Sequence, residues 1–266
     1  MKMSIAGWTI LTIMSVAAMY GILAYIILPA VWTHHEHQPG LAARPMVTRT
    51  AQGIPGDPLN VGLVGAREDV IRAMHEAGWF PADPITLKSS IAIIGSVLLD
   101  RPYTHAPVSP LYYDGRVQDL AFEKPDGRSA DRRHHVRFWQ VLDKGTEGRP
   151  VFIGAVTFDR SVGLSRYTAQ VTHHIAPDID SARDGLTADL RQACVVEAVY
   201  QVTGIGAALN GRNGEGDSYW TDGEISIARL TPDAQTTDVP PRVFDAPQAV
   251  QWKDAVMNQL GGVLGK

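Results

Sequence analysis

Arg132-Arg-His-His-Val-Arg-Phe-Trp-Gln-Val-Leu142, followed after a polar turn by Val151-Phe-Ile-Gly-Ala-Val-Thr-Phe158, decides how this chain is read. Side chains alternate across a strand with a period of two. On that period the first run sends His134, Val136 and Phe138 to one face and Arg133, His135, Arg137 and Trp139 to the other. The second run is apolar on both faces, the pattern of a central strand covered above and below. The densest polar patch of the chain thus lies on one face of a sheet.

Working outward, 59–64, 111–123, 171–175 and 219–230 also read as strands. Residues 67–79 read as a helix with Val70, Ile71, Met74 and Ala77 on one side. Pro84 suits the first turn of a second helix over 85–99. Asp178 or Asp180 can cap a third helix running to about Val202, with Leu186, Leu190, Ala193, Val196 and Tyr200 as its buried stripe. Cys194 falls in that stripe and reads as a buried, inert thiol. Helices and strands come in separate runs, which predicts a single α+β domain with a largely antiparallel sheet packed by helices.

The 266 residues are 45% hydrophobic and 20% charged, with a net charge of −4. That balance excludes collagenous, disulfide-stapled and wholly disordered chains, and a basic nucleic-acid binder; no nucleic-acid partner is expected. The average hides a split. Residues 4–32 contain no charge, a run longer than the roughly 20 apolar residues that span a bilayer. Trp8 stands near one end and Tyr25 and Trp32 near the other, where interfaces favour aromatic rings. The apolar run continues well past Ala17-Ala18, too long for a cleaved signal peptide. The expectation is a transmembrane anchor over 1–32. Lys2 precedes the span and no Lys or Arg follows until Arg44, which orients the bulk away from the cytoplasm. A single-pass inner-membrane protein with a periplasmic domain follows. Residues 33–56 read as a tether, with His34, His35 and His37 either a metal trap or a polar membrane-edge segment. The domain is expected over 57–231. A Pro-rich extension and an amphipathic helix over 249–264, carrying Trp252 and Val256, complete 232–266. That helix has three possible seats: the domain, a protein partner or the membrane.

No phosphate loop, dinucleotide fingerprint, HExxH, CxxC pair or serine-hydrolase elbow is present. Three polar groups remain. Arg133 and Arg137 flank His135 on one face; guanidinium forks fit phosphate or carboxylate, and imidazole can move a proton. The alternative is a salt-bridged sheet face. Asp159 closes the apolar strand and either serves a site with His135 or His173, or caps a turn. Asp178 and Asp180 either bind a divalent metal ion or serve the start of a helix. Tyr112, Arg116 and Asp119, with His105 upstream, form a third polar group, and Asp222 and Glu224 are candidates for the same cleft.

Ala106-Pro-Val-Ser-Pro-Leu-Tyr-Tyr-Asp-Gly-Arg116, Gln118-Asp-Leu-Ala-Phe122 and Arg133-His-His-Val-Arg-Phe-Trp139 resemble the LssY C-terminal domain family. Ala155-Val-Thr-Phe-Asp159, Thr172-His-His-Ile175, Asp178-Ile-Asp180 and Arg183-Asp184 extend the resemblance, as does Asp57-Pro-Leu-Asn-Val-Gly-Leu-Val-Gly65. Tyr113-Asp114 and Ala182 depart from the family pattern. The family name refers to a type I secretion component. In longer relatives the domain follows membrane domains of the DedA and phosphatidic-acid-phosphatase types. The resemblance therefore implies work on an envelope lipid-phosphate or another anionic ligand. On that reading His135, Asp159 and His173 are the catalytic candidates of a phosphoesterase-type hydrolase. Arg116, Arg133, Arg137, Tyr112 and Asp119 would hold the ligand, and Asp178 and Asp180 a metal. The alternative is a non-catalytic adaptor of an envelope secretion or transport complex, contacting its protein partner through 249–266.

Overall fold

The structure, a computed structural model, describes residues 4–27, 38, 40–41, 44–84, 110–127, 132–167, 169, 171–202 and 210–245, with isolated residues at 86 and 88 and within 248–259. Two units are each compact, Met1–His37 and Gln38–Lys266.

In the first unit, α1 (Ile5–Ile22) is continued by a π-helical turn, Leu23–Ile27. The Ser4 hydroxyl caps it by accepting from Gly7 N at 3.2 Å. Ile5–Ile27 has a mean hydropathy of 2.2 and buries none of its side chains. At 1.5 Å per residue it is about 34 Å long, against a bilayer core of about 30 Å. The Thr9 and Thr12 hydroxyls donate to Ile5 O at 3.0 Å and Trp8 O at 2.9 Å, so the helix satisfies its own polar atoms. It is long and apolar enough to cross a membrane.

The second unit opens with β1 (Val47–Arg49), β2 (Pro55–Pro58) and β3 (Val61–Val64), then α2 (Arg67–Glu76). Next come β4 (Phe80–Pro81), β5 (Tyr112–Tyr113), β6 (Arg116–Val117), β7 (Leu120–Pro125), β8 (Arg133–Leu142), β9 (Val151–Leu164) and β10 (Val171–Ile175). It closes with α3 (Ile179–Gln192), β11 (Val196–Val202), β12 (Asn210–Arg212), β13 (Ser218–Trp220), β14 (Ile225–Leu230) and β15 (Arg242–Phe244). The main sheet runs β15-β11-β14-β3-β9-β8-β7-β4, with β10 on β9; a smaller sheet runs β2-β1-β5-β6. This is the expected α+β fold with mostly antiparallel pairing, and β14–β3 and β11–β15 are parallel.

The alternation of β8 sorts the core. Val136 and Phe138 join Phe122, Phe152 and Val156 under the apolar faces of α2 and α3. On the opposite face Trp139, Ile153 and Ala155 pack with Leu111, Tyr113 and Ile225. Gly154 pairs with Phe138, and a Cβ there would fall 2.6 Å from the Phe138 ring and 2.7 Å from Arg137 O, so only glycine fits. Asn60 is the buried pin of the layers. Its amide donates to Val156 O at 3.0 Å and Ile179 O at 3.1 Å, and its oxygen accepts from Val156 N at 2.9 Å.

α2 and α3 end alike. Trp79 N donates to Met74 O at 2.8 Å and Gly78 N to His75 O at 2.9 Å; Val195 N donates to Leu190 O at 3.4 Å and Cys194 N to Arg191 O at 3.0 Å. Each is a Schellman motif, with Met74–Trp79 and Leu190–Val195 as its apolar pairs in the core. The left-handed position is Gly78 in one (φ +80°) and Cys194 in the other (φ +57°).

Several expectations are corrected. The third helix stops at Gln192, and 196–202 is the strand β11, so Val196 and Tyr200 are strand residues. Cys194 is exposed in the turn between them, not buried in a helix. The apolar strand does not end at Asp159 but runs to Leu164. The 111–123 and 219–230 strands are each broken by a turn. Within the stretch read as tether, β1 and β2 form and Leu41 is fully buried. The helix expected over 85–99, the 34–37 histidines, His105 and most of the 249–264 helix lie outside the described residues.

A candidate Asp–His–Arg site

The register of β7, β8 and β9 builds the site. Glu123 pairs with His135 and His135 with Thr157; Arg133 pairs with Asp159, and Arg137 with Ala121 and Ala155. Residues in register share a face. Glu123, Arg133, His135, Arg137 and Asp159 therefore crowd one patch, each under 8% exposed. Beyond them on the same face β8 turns apolar at Trp139, so the polar patch adjoins a dry core on one side.

His135 is held at both ring nitrogens. Nδ1 lies 2.8 Å from Asp159 Oδ2 and Nε2 3.2 Å from Glu123 Oε2. Burial alone depresses its pKa, but the two carboxylate hydrogen bonds outweigh burial and raise it above 6.5. The two carboxylates thus favour the protonated ring. Its charge answers Asp159, which is held below 3.8 despite burial because His135 donates to it. Arg133 Nη1 is 3.4 Å from Glu123 Oε2, and its Nη2 is 2.7 Å from His173 Nε2. A guanidinium only donates, so this contact makes His173 Nε2 the acceptor. Arg133 Nε is buried with no hydrogen-bond partner among the described residues. Arg137 Nη1 lies 3.3 Å from Asp57 Oδ2, and burial pushes Asp57 up while Arg137 pulls it down. His135 and His173 face each other edge to face at 6.2 Å. His173 is half-buried, so the cluster reaches the surface there.

With His135 charged, three cations (Arg133, His135, Arg137) meet three carboxylates (Asp57, Glu123, Asp159). The like-charge repulsion between the arginines is relieved inside the protein. Among the described residues no three His, Cys, Asp or Glu side chains are grouped to hold a metal ion. Both nitrogens of His135 are already engaged by carboxylates.

The structure therefore brings together Arg133, His135, Arg137, Asp159 and His173. It does not bring the other candidates to them. Arg116 is exposed and donates to Gln140 O at 2.8 Å; Asp119 accepts from Gln140 N at 2.8 Å, and the two are 3.6 Å apart. Gln140 is seven residues along β8 from Arg133, about 23 Å at strand rise. Tyr112 lines a separate cleft with Arg49 and Asp114. Asp178 caps α3, accepting from Ser181 N at 3.0 Å. Asp180 is buried in a second network: it accepts from Thr221 Oγ1 at 2.7 Å, Asp222 N at 2.8 Å and Arg183 Nη1 at 3.3 Å. Asp222 holds Arg183 through both oxygens, at 2.8 and 3.1 Å. Asp222 thus fastens α3 to the loop before β14, and Glu224 N donates to it at 2.8 Å.

Sequence reasoning missed Glu123 and Asp57. Glu123 was legible, since it alternates with Ala121 on a strand preceding β8. Asp57 carried no local signal, because only long-range pairing brings β2 to Arg137.

A family model described as LssY C-terminus matches residues 39–225. No curated protein and no solved structure matches the chain.

Proposed function

The chain belongs to the LssY C-terminus family, and on that premise we propose that it is an envelope protein, anchored by Ile5–Ile27, whose domain binds a phosphate-bearing anion at the Asp–His–Arg cluster. Lys2 before the span, with no Lys or Arg after it until Arg44, supports a domain on the periplasmic side of the inner membrane. The observation that carries the reading is Arg133: a buried guanidinium whose Nε has no partner among the described residues, leaning on the half-buried His173. A phosphate oxygen that displaces His173 takes up the Arg133 fork and frees His173 Nε2 as a base. His135, charged and fixed by Asp159 and Glu123, is the proton donor behind it. Hydrolysis of a lipid-phosphate is the corresponding reaction, with a divalent ion as a variable of the assay.

The test uses the full chain in detergent, with phosphatidic acid and soluble phosphomonoesters, with and without divalent ions. Arg133→Lys keeps the charge and removes the fork. It should weaken phosphate binding about tenfold, and His135→Gln should abolish release of phosphate. Binding and turnover unchanged in both variants would sink the proposal.

A second reading has its own support. Every cation of the cluster already faces a carboxylate, as in a structural lock, while Trp252 (67% exposed) and Val256 (53%) stand uncovered. On this reading the domain is an adaptor for an envelope protein complex. Crosslinks from 252 and 256 to a partner, with no turnover by the full chain, are its expected result.

A further inference from the structure

We propose that the hairpin arm formed by the end of β9 and by β10 is a membrane-contacting element that inserts Val162, Leu164 and Tyr167 into the surface of an anionic bilayer. β8 accompanies β9 only as far as Asp159; beyond it, Ser161 to Leu164 pair with β10 alone. A two-stranded ribbon is marginal in water without cover. This one is braced by the 213–217 loop: Arg166 N donates to Glu215 O at 3.0 Å, and Asp217 accepts from Ile175 N at 3.0 Å while lying 2.8 Å from His174 Nδ1. A Cβ on Gly163 would fall 2.4 Å from His174 Nε2, so that histidine lies flat on the arm.

The bracing leaves the apolar tip uncovered. Val162 is 44% exposed, Leu164 61% and Tyr167 52%. Single exposed apolar residues are ordinary, but three within six positions of one turn are not. Residues 160–171 contain Arg160 and Arg166 and no acid, and both arginines are exposed. Aliphatic side chains ringed by guanidiniums and a tyrosine match a lipid interface: acyl boundary for Val and Leu, headgroup level for Tyr, lipid phosphates for Arg. The same chain supplies proximity. Gln38 is already buried in the domain, and the chain from Ile27 to Gln38 reaches at most about 40 Å when fully extended. The proposal rests on the anchor and needs no ligand at the Asp–His–Arg cluster, although His173 of that cluster pairs with Val162 in the arm.

The experiment places a polarity-sensitive fluorophore at one cysteine in a Cys194→Ser background of the full chain. The sites are Leu164→Cys, Met14→Cys in α1 and Gln192→Cys on the exposed side of α3. Each is reconstituted into vesicles of phosphatidylcholine alone or mixed with phosphatidylglycerol, with a lipid-borne quencher. The expected result is blue-shifted, quenched emission at 14 in both vesicles, at 164 with phosphatidylglycerol only, and never at 192. Arg160→Glu with Arg166→Glu should abolish the response at 164 and leave that at 14. A response at 14 with water-like emission at 164 in both vesicles overturns the arm proposal and leaves the anchor standing. Water-like emission at 14 overturns the anchor and the arm together. A shift at 164 that follows protein concentration in detergent micelles assigns the tip to a second copy of the chain and overturns the lipid assignment.

Discussion

Asp180, 4% exposed, takes its pKa from burial, which Arg183 opposes and Asp222 seconds; the carboxyl is pushed up to about 6. Its ordinary value is 3.8, so between 3.8 and about 6 the folded chain binds a proton that the unfolded chain has lost. Stability then falls as pH rises through that interval and is level above it, a total of about 3 kcal/mol. Asp180→Asn cannot titrate and should flatten that segment when urea stability is followed against pH. His135 acts in the next window. Its raised value confers stability that is complete below its ordinary 6.5 and lost as pH rises through the native value, and His135→Gln should remove that decline. Asp159 is the costly member. Removing its carboxylate leaves His135 and the arginines with one counter-charge fewer, at about 3–5 kcal/mol for Asp159→Ala by urea unfolding. At this scale the alternation of β8 made Arg133, His135 and Arg137 legible. The end of the ion pair on β2, Asp57, was not, because a partner reached only through long-range pairing leaves no mark beside the residue it serves.

The two Schellman turns show why one helix end was readable and the other was not. Gly78 announces the stop of α2, since glycine adopts a left-handed φ without strain. Cys194 performs the same role behind a side chain that signals nothing, and Ala193, Val196 and Tyr200 recur at a spacing that also suits a helix. The β-branched density of 195–202 was the better guide. A non-glycine residue held in that conformation costs roughly 1 kcal/mol. Cys194→Gly should therefore raise stability by about 1 kcal/mol in thermal or urea unfolding; no gain would mean the turn holds the cysteine unstrained. The early strands make a similar point. Leu41, β1 and β2 sit in a stretch whose prolines and lack of periodicity resemble a linker, yet Thr48 Oγ1 donates to Asp57 O at 2.8 Å and Asp57 meets Arg137. Deleting 1–37 should leave a cooperative thermal transition. Deleting 1–56 should abolish it, since the β1 strand and the Leu41 anchor go with it.

For the molecule as a whole, a modest charge of −4 averages an uncharged helix with a domain carrying nearly all the ionic groups. The full chain should resist alkaline extraction from membranes, whereas residues 38–266 should be released by salt alone; release of the full chain under the same wash would remove the anchor. Architecture was largely legible, because hydropathy and strand period are local. The parallel pairs were not, since nothing in either strand names its partner. One of those pairs sets the order in which the domain can be made. β3 lies between β9 and β14, and Val61 pairs with Ser226. Contacts so distant along the chain are slow to form. During vectorial synthesis, β3, β8 and β9 emerge with one flank of β3 unclosed, and the closing strand arrives only when residue 230 is out. The domain therefore completes its sheet at the centre and late. Until then one edge of β3 stays unpaired, and the yield of folded protein should follow folding rate as well as final stability.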